Sequence, residues 1–137
     1  MTWKKKFLFI LCSVLAVLAS GCRREEQQPP KQPEETIELT EEEERILCEL
    51  YVDEERIREG KLYGYQETCL EQLRFAMDYL EEKYPDKDFT ILAIHPKSKI
   101  NMRTTVEFYE FGDTENYHNL FIEPDADGWV GEDDFEG

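Results

Sequence analysis

The hydrophobic period of this chain changes once, at Tyr84-Pro85-Asp86, and that change limits it to helices first and a sheet after. Before the proline, Leu70, Leu73, Met77, Leu80 and Tyr84 recur at helical spacing, with Phe75 and Ala76 widening the stripe. Proline then ends the helix, because the residue before it is pushed out of the helical region. Beyond it the period is two. Phe89 to His95 is β-rich and stops at Pro96, and Met102 to Phe111 alternates, placing Met102, Val106 and Phe108 on one face. Gly112 to Asn116 reads as a loop and Tyr117 to Ile122 as a third strand. Pro124-Asp125-Ala126-Asp127-Gly128 turns the chain, and Trp129-Val130 starts a short fourth strand.

A first helix begins after Leu39. Thr40 and Glu43 stand three apart, as a capping box requires, and Ile46, Leu47, Leu50, Tyr51 and Ile57 form its buried stripe. Gly60 and Gly64 interrupt that pattern, so Lys61 to Tyr65 reads as a connector, with Thr68 and Glu71 offering a second capping box. The expected fold is α+β: two N-terminal helices on a three- or four-stranded antiparallel meander, over residues 37–137, with the Leu70–Leu80 helix across one sheet face.

The N-terminus carries an address. Lys4, Lys5 and Lys6 precede an uncharged apolar run from Phe7 to Leu18, and the small residues Ala19, Ser20 and Gly21 precede Cys22. These are the three parts of a secretory signal peptide. As a helix, Phe7 to Gly21 would span roughly 22 Å, short of the ~30 Å hydrocarbon core. Leu18-Ala19-Ser20-Gly21-Cys22 resembles the lipobox of bacterial lipoproteins, departing from its commonest form in having Ala19 three places before the cysteine. The resemblance covers residues 1–22 only. It implies removal of 1–21, lipid (diacylglyceryl and palmitate) on Cys22, and anchoring on the outer face of the cytoplasmic membrane, or of an outer membrane where one exists. Residues 22–36 read as a disordered Pro/Gln/Glu tether, with a reach of about 40 Å when extended.

Cleavage before Cys22 would leave 116 residues with 13 basic against 32 acidic side chains, a net charge near −19. Such a charge excludes nucleic acid as a partner and opposes lying flat on anionic lipid. Cys48 and Cys69 then remain, and an oxidising setting permits a disulfide between them. In a symmetric helical hairpin they would be offset by about 10 Å along the axis. Both pairing and free thiols therefore stay open. The chain has no CxxC pair and no Cys/His zinc spacing.

Candidate chemistry is sparse. Glu123-x-Asp125-x-Asp127-Gly128-x5-Asp134 follows the offsets of an EF-hand loop, but Pro124 stiffens it and a strand, not a helix, precedes it. The simpler reading is a polar hairpin turn. His95 and His118 could meet across the sheet as metal ligands or as acid and base; isolated histidines more often pack at a surface. Tyr109, Phe111 and Tyr117 surround the Gly112 loop, and Tyr63 and Tyr65 flank Gly64, as an aromatic rim or as outlying core. No catalytic, cofactor or metal residue is assigned, leaving Cys22 as the site residue, for lipidation. The expectation is a membrane-anchored, non-enzymatic interaction module for a protein or envelope component. The alternatives are an acidic inhibitor or protector against a basic enzyme or toxin, or a divalent-metal-binding domain.

Overall fold

The computed structural model describes residues 34–136. The expected signal peptide, Cys22 and the tether as far as residue 33 lie outside the described residues. Helices α1 (Glu41–Leu50), α2 (Glu54–Arg58) and α3 (Gly64–Lys83) come first, followed by strands β1 (Phe89–His95), β2 (Thr104–Glu110), β3 (His118–Asp125) and β4 (Gly128–Asp133). The fold is α+β, and the four strands form one antiparallel sheet in the order β1-β2-β3-β4.

Helix α1 begins at the capping box. Thr40 Oγ1 accepts the Glu43 N–H at 3.2 Å, and Glu43 Oε2 accepts the Thr40 N–H at 3.0 Å. Ile46 and Leu47 are buried, but α1 ends at Leu50, so Ile57 belongs to the separate short helix α2. Val52 and Asp53, poor helix formers, supply the break. The expected connector is also shorter than the glycines suggest. Gly64 opens α3, and Gln66 Oε1 accepts the Tyr63 N–H at 2.9 Å. The Thr68 hydroxyl donates to the Gly64 carbonyl at 3.1 Å instead of capping a helix start.

The sheet departs from expectation at its loop ends. β2 begins at Thr104, and Met102 is a loop residue 77% exposed, not a core residue. β1 ends opposite Thr105, so the alternating pattern at Met102 has no partner strand to bury it. Pro124 and Asp125 extend β3 rather than forming the turn, which is reduced to Ala126 and Asp127. Proline is tolerated there because pairing with β2 stops at Ile122, so its missing N–H costs no ladder bond on that side.

Helix α3 lies on the inner face of the sheet. Leu70, Leu73, Ala76 and Leu80 share one core with Ile91, Ile94, Val106, Phe108, Leu120 and Ile122. Ile91 and Ile94 are three apart yet both buried, because the register with β2 shifts between Ile91 and Ala93. Helix α1 adds Ile46 and Leu47 to this core, and α2 adds Ile57. Helix α1 also closes the outer edge of β1: Ile91 donates its N–H to Glu42 Oε1 (3.3 Å) and accepts from Arg45 Nη2 at its carbonyl (3.0 Å).

One ion pair fastens α1 to α3. Glu43, 3% exposed, accepts Arg74 Nε at 2.8 Å, while Arg74 Nη2 also reaches the Glu38 carbonyl at 3.0 Å. Although burial opposes its charge, Arg74 and the Thr40 N–H hold the Glu43 carboxyl below its ordinary range. Arg74→Ala would strand a buried carboxylate and is expected to cost about 2–3 kcal/mol. Arg58→Ala breaks only exposed pairs, with Glu54 at 3.5 Å and Glu44 at 4.0 Å, and should cost at most about 1 kcal/mol. Urea denaturation of both variants measures the contrast.

Cys48 and Cys69 are both free thiols, one half-buried on α1 and one buried on α3. Burial pushes the Cys69 thiol up to about 11, so it stays protonated and unreactive at neutral pH.

Candidate binding face

A strand alternates its side chains between the two faces of its sheet. With one set committed to α3, the other set forms an outward face whose composition follows from the pairing. One cross-strand row reads His95, Thr105, Phe121, Glu132, and the next reads Ala93, Glu107, Asn119. Asp134 extends the second row, accepting the Asn119 N–H at 2.7 Å and its side-chain amide at 3.1 Å. Tyr109 and Tyr117 meet edge to face beside these rows, with ring centroids 6.1 Å apart.

This face is acidic and aromatic. Glu107, Glu123, Glu132 and Asp134 surround Phe121, with Arg103 stacked 4.3 Å over the Phe121 ring and reaching Glu132 at 3.9 Å. His95 Nε2 lies 3.3 Å from Glu107 Oε1. Half-buried rings bordered by carboxylates can seat aliphatic stems of lysine or arginine while the carboxylates take the cationic heads. The arrangement suits binding.

The other sequence candidates separate. His95 faces outward, whereas His118 pairs with Phe108 on the inner face and packs edge to face on Phe135 at 4.8 Å. The two histidines do not form a pair. Tyr63 and Tyr65 stack at 5.8 Å at the start of α3, with Arg56 over Tyr63 and Tyr51 against Tyr65. They belong to that helix end and not to the sheet. Phe111 is exposed beyond the end of β2.

The carboxylates with EF-hand offsets do not converge. Glu123 and Asp125 lie on β3, Asp125 Oδ1 accepts the Ala126 N–H at 2.7 Å, and Asp134 is committed to Asn119. Gly128 serves the hairpin, with φ of +133°. Among the described residues no group of three or more His, Cys, Asp or Glu side chains is placed to hold a metal ion. Calcium raised to millimolar levels is expected to leave the fluorescence of Trp129 unchanged in a chain of residues 34–137.

Sequence reasoning missed the most fully bonded carboxylate in the described chain. Asp133 has a side chain 0% exposed. Its Oδ2 accepts from Tyr79 (2.7 Å) and Lys83, and its Oδ1 from the Tyr84 hydroxyl (2.8 Å) and the Phe135 N–H (3.0 Å). These donors hold its carboxyl below the ordinary range despite burial. Four bonds leave no lone pair for a substrate, so Asp133 is a clasp between β4 and α3. The available signal was weak: Tyr79 and Lys83 share a helix face, but Asp133 sits in an acidic run beside Glu132 and Asp134.

Fold and face together define a small α+β module with an acidic, aromatic outer sheet surface. In comparisons with protein-family models, curated proteins and solved structures, no match was found.

Proposed function

We propose that the chain is the precursor of a lipoprotein, lipidated on Cys22, whose head is a non-enzymatic binding module for a protein or envelope component outside the cell. The observation that supports a binding role is the outer sheet face, where Phe121, Tyr109 and Tyr117 lie among Glu107, Glu123, Glu132 and Asp134. Its partner presents basic and aliphatic groups. A lipid anchor would raise the local concentration of the head for partners near the membrane.

Two measurements test the two halves separately. Palmitate should be incorporated into the full chain expressed in bacteria and be lost in Cys22→Ser; equal labelling of both would remove the anchoring half. For the binding half, immobilised residues 34–137 are exposed to an envelope extract beside the variant Glu107→Lys/Phe121→Ser. A component retained at low salt, released at high salt and missing from the variant is expected. Identical retention by both proteins would remove this face as the binding surface.

An inhibitor or protector role is the second reading, favoured by the charge of the head, 28 acidic against 10 basic residues over 37–137. It predicts a single basic enzyme or toxin as the retained component, inactive when bound.

A further inference from the structure

The acidic character of the head has one gap. From Phe89 to Val106 the sequence contains no aspartate or glutamate, although 32 such residues occur in the chain. Within that gap lie Lys97, Lys99 and Arg103, and they fall in the loop joining β1 to β2.

The loop also exposes apolar side chains. Ile100 is 91% exposed and Met102 is 77% exposed. Their exposure follows from an ordered turn. Ser98 donates its N–H to the Asn101 carbonyl at 2.8 Å, and its hydroxyl accepts the N–H of Ile100 (3.1 Å) and of Asn101 (3.0 Å). Lys97 N–H is tied to Thr104 Oγ1 at 3.1 Å, and that hydroxyl also takes the buried Gln72 amide at 3.2 Å. Lys99 and Ile100 are thus held at the tip. Arg103 is engaged with Glu132 and Phe121, whereas neither Lys97 nor Lys99 has an ion-pair partner among the described residues. Trp129 lies along a groove of about 450 Å³ shared with Lys97, Met102 and Arg103.

We propose that this loop, residues 96–103, docks the head onto an anionic phospholipid surface, with Ile100 and Met102 entering the interface and Lys97 and Lys99 meeting headgroup phosphates. Lipid is the occupant favoured by the chemistry. Two ammonium groups without ion-pair partners among the described residues stand beside a protruding apolar tip, the arrangement by which amphipathic elements enter a headgroup layer. The carboxylates elsewhere oppose approach only over about one Debye length, ~8 Å at physiological salt, so a projecting tip can reach the surface when the bulk of the head does not. The inference rests on the anchoring reading for its place in the cell, and it assigns the tethered head a preferred side toward the membrane.

Its test does not depend on Cys22. Among the described residues the core and the side chains packed against it run from Ile37 to Phe135, all of them within residues 34–137. This chain should sediment with vesicles containing phosphatidylglycerol and not with vesicles of phosphatidylcholine alone, and its Trp129 emission should shift to the blue. Lys97→Glu/Lys99→Glu and Ile100→Ser/Met102→Ser should each weaken binding at least about tenfold, while melting as the parent does because these side chains are exposed. Absence of sedimentation with phosphatidylglycerol vesicles at low salt, or equal binding by the parent and both variants, would overturn the proposal. So would capture of polyglutamate through the loop without vesicle binding, which would assign it to an acidic protein. Loss of palmitate labelling in the full chain would strike the anchoring reading alone.

Discussion

Asp133→Ala is expected to lower the unfolding free energy by about 3 kcal/mol, because it removes an acceptor serving four donors inside the structure. The loss stays below that of the most deeply buried ion pairs because Lys83 is 47% exposed and regains water when its partner leaves. Tyr79 and Tyr84 lose more, since their hydroxyls are directed at the carboxylate and their rings are half-buried. Asp133→Asn separates charge from shape. It keeps one acceptor oxygen and should recover part of the loss.

The same residue sets an acid limit. Asp133 in the folded protein ionises below the ~3.9 of an unfolded aspartate, so the folded form binds its proton less readily. Its contribution is complete above the unfolded value and disappears as pH falls through the folded one. Melting temperature should therefore drop steeply below about pH 4, and Asp133→Asn should flatten that drop. Glu43, also held low, leaves a residual slope. An unchanged profile in Asp133→Asn would show that the clasp does not carry the acid sensitivity.

Gly60→Ala should be comparably damaging for a different reason. Gly60 has φ of +73°, and a Cβ there would stand 2.2 Å from the Ile37 carbonyl oxygen. The obstacle is backbone, tied down by a 2.8 Å bond from the Ile37 N–H to the Gly60 carbonyl. Relieving it means moving residues 37–39 off the core, and with the left-handed strain the expected cost is about 3 kcal/mol or more. Gly112→Ala provides the comparison. Gly112 has φ of +91° but open space around it, so only the conformational strain of about 1 kcal/mol remains. Equal losses in the two variants would mean that the Ile37 contact contributes nothing.

How much of this was legible depended on whether a signal was local. The Thr40–Glu43 box and the Leu70–Leu80 stripe could be read directly, because a cap and an amphipathic face are written in neighbouring residues. The strands around Ile91, Val106 and Leu120 were legible for the same reason. Met102 was misplaced because alternation says which face a residue would take, not where the partner strand stops. The break between Leu50 and Glu54 was hidden because Ile57 is buried from its own short helix, in phase with the stripe by coincidence. The shift that puts both Ile91 and Ile94 inside is set by pairing with β2 and leaves no trace in local pattern. Of the candidate face, the aromatics were visible as a list, but only the register joined Phe121 to Glu132 and His95. The Asp133 clasp joins residues about 50 positions apart, beyond any local pattern.

Phe135 meets the rings of Tyr84, Phe89 and His118 at 5.0, 5.1 and 4.8 Å, and Phe108 lies behind them at 6.2 Å. Together with the Asp133 clasp, this means that the most C-terminal part of the described chain closes a core begun by the helices. A chain ending after β3 has α3 and three strands but an open flank. Such a chain should therefore remain protease-sensitive, and the head should lock only when Asp133 and Phe135 are present, so that its folding is a single event that waits on its last strand.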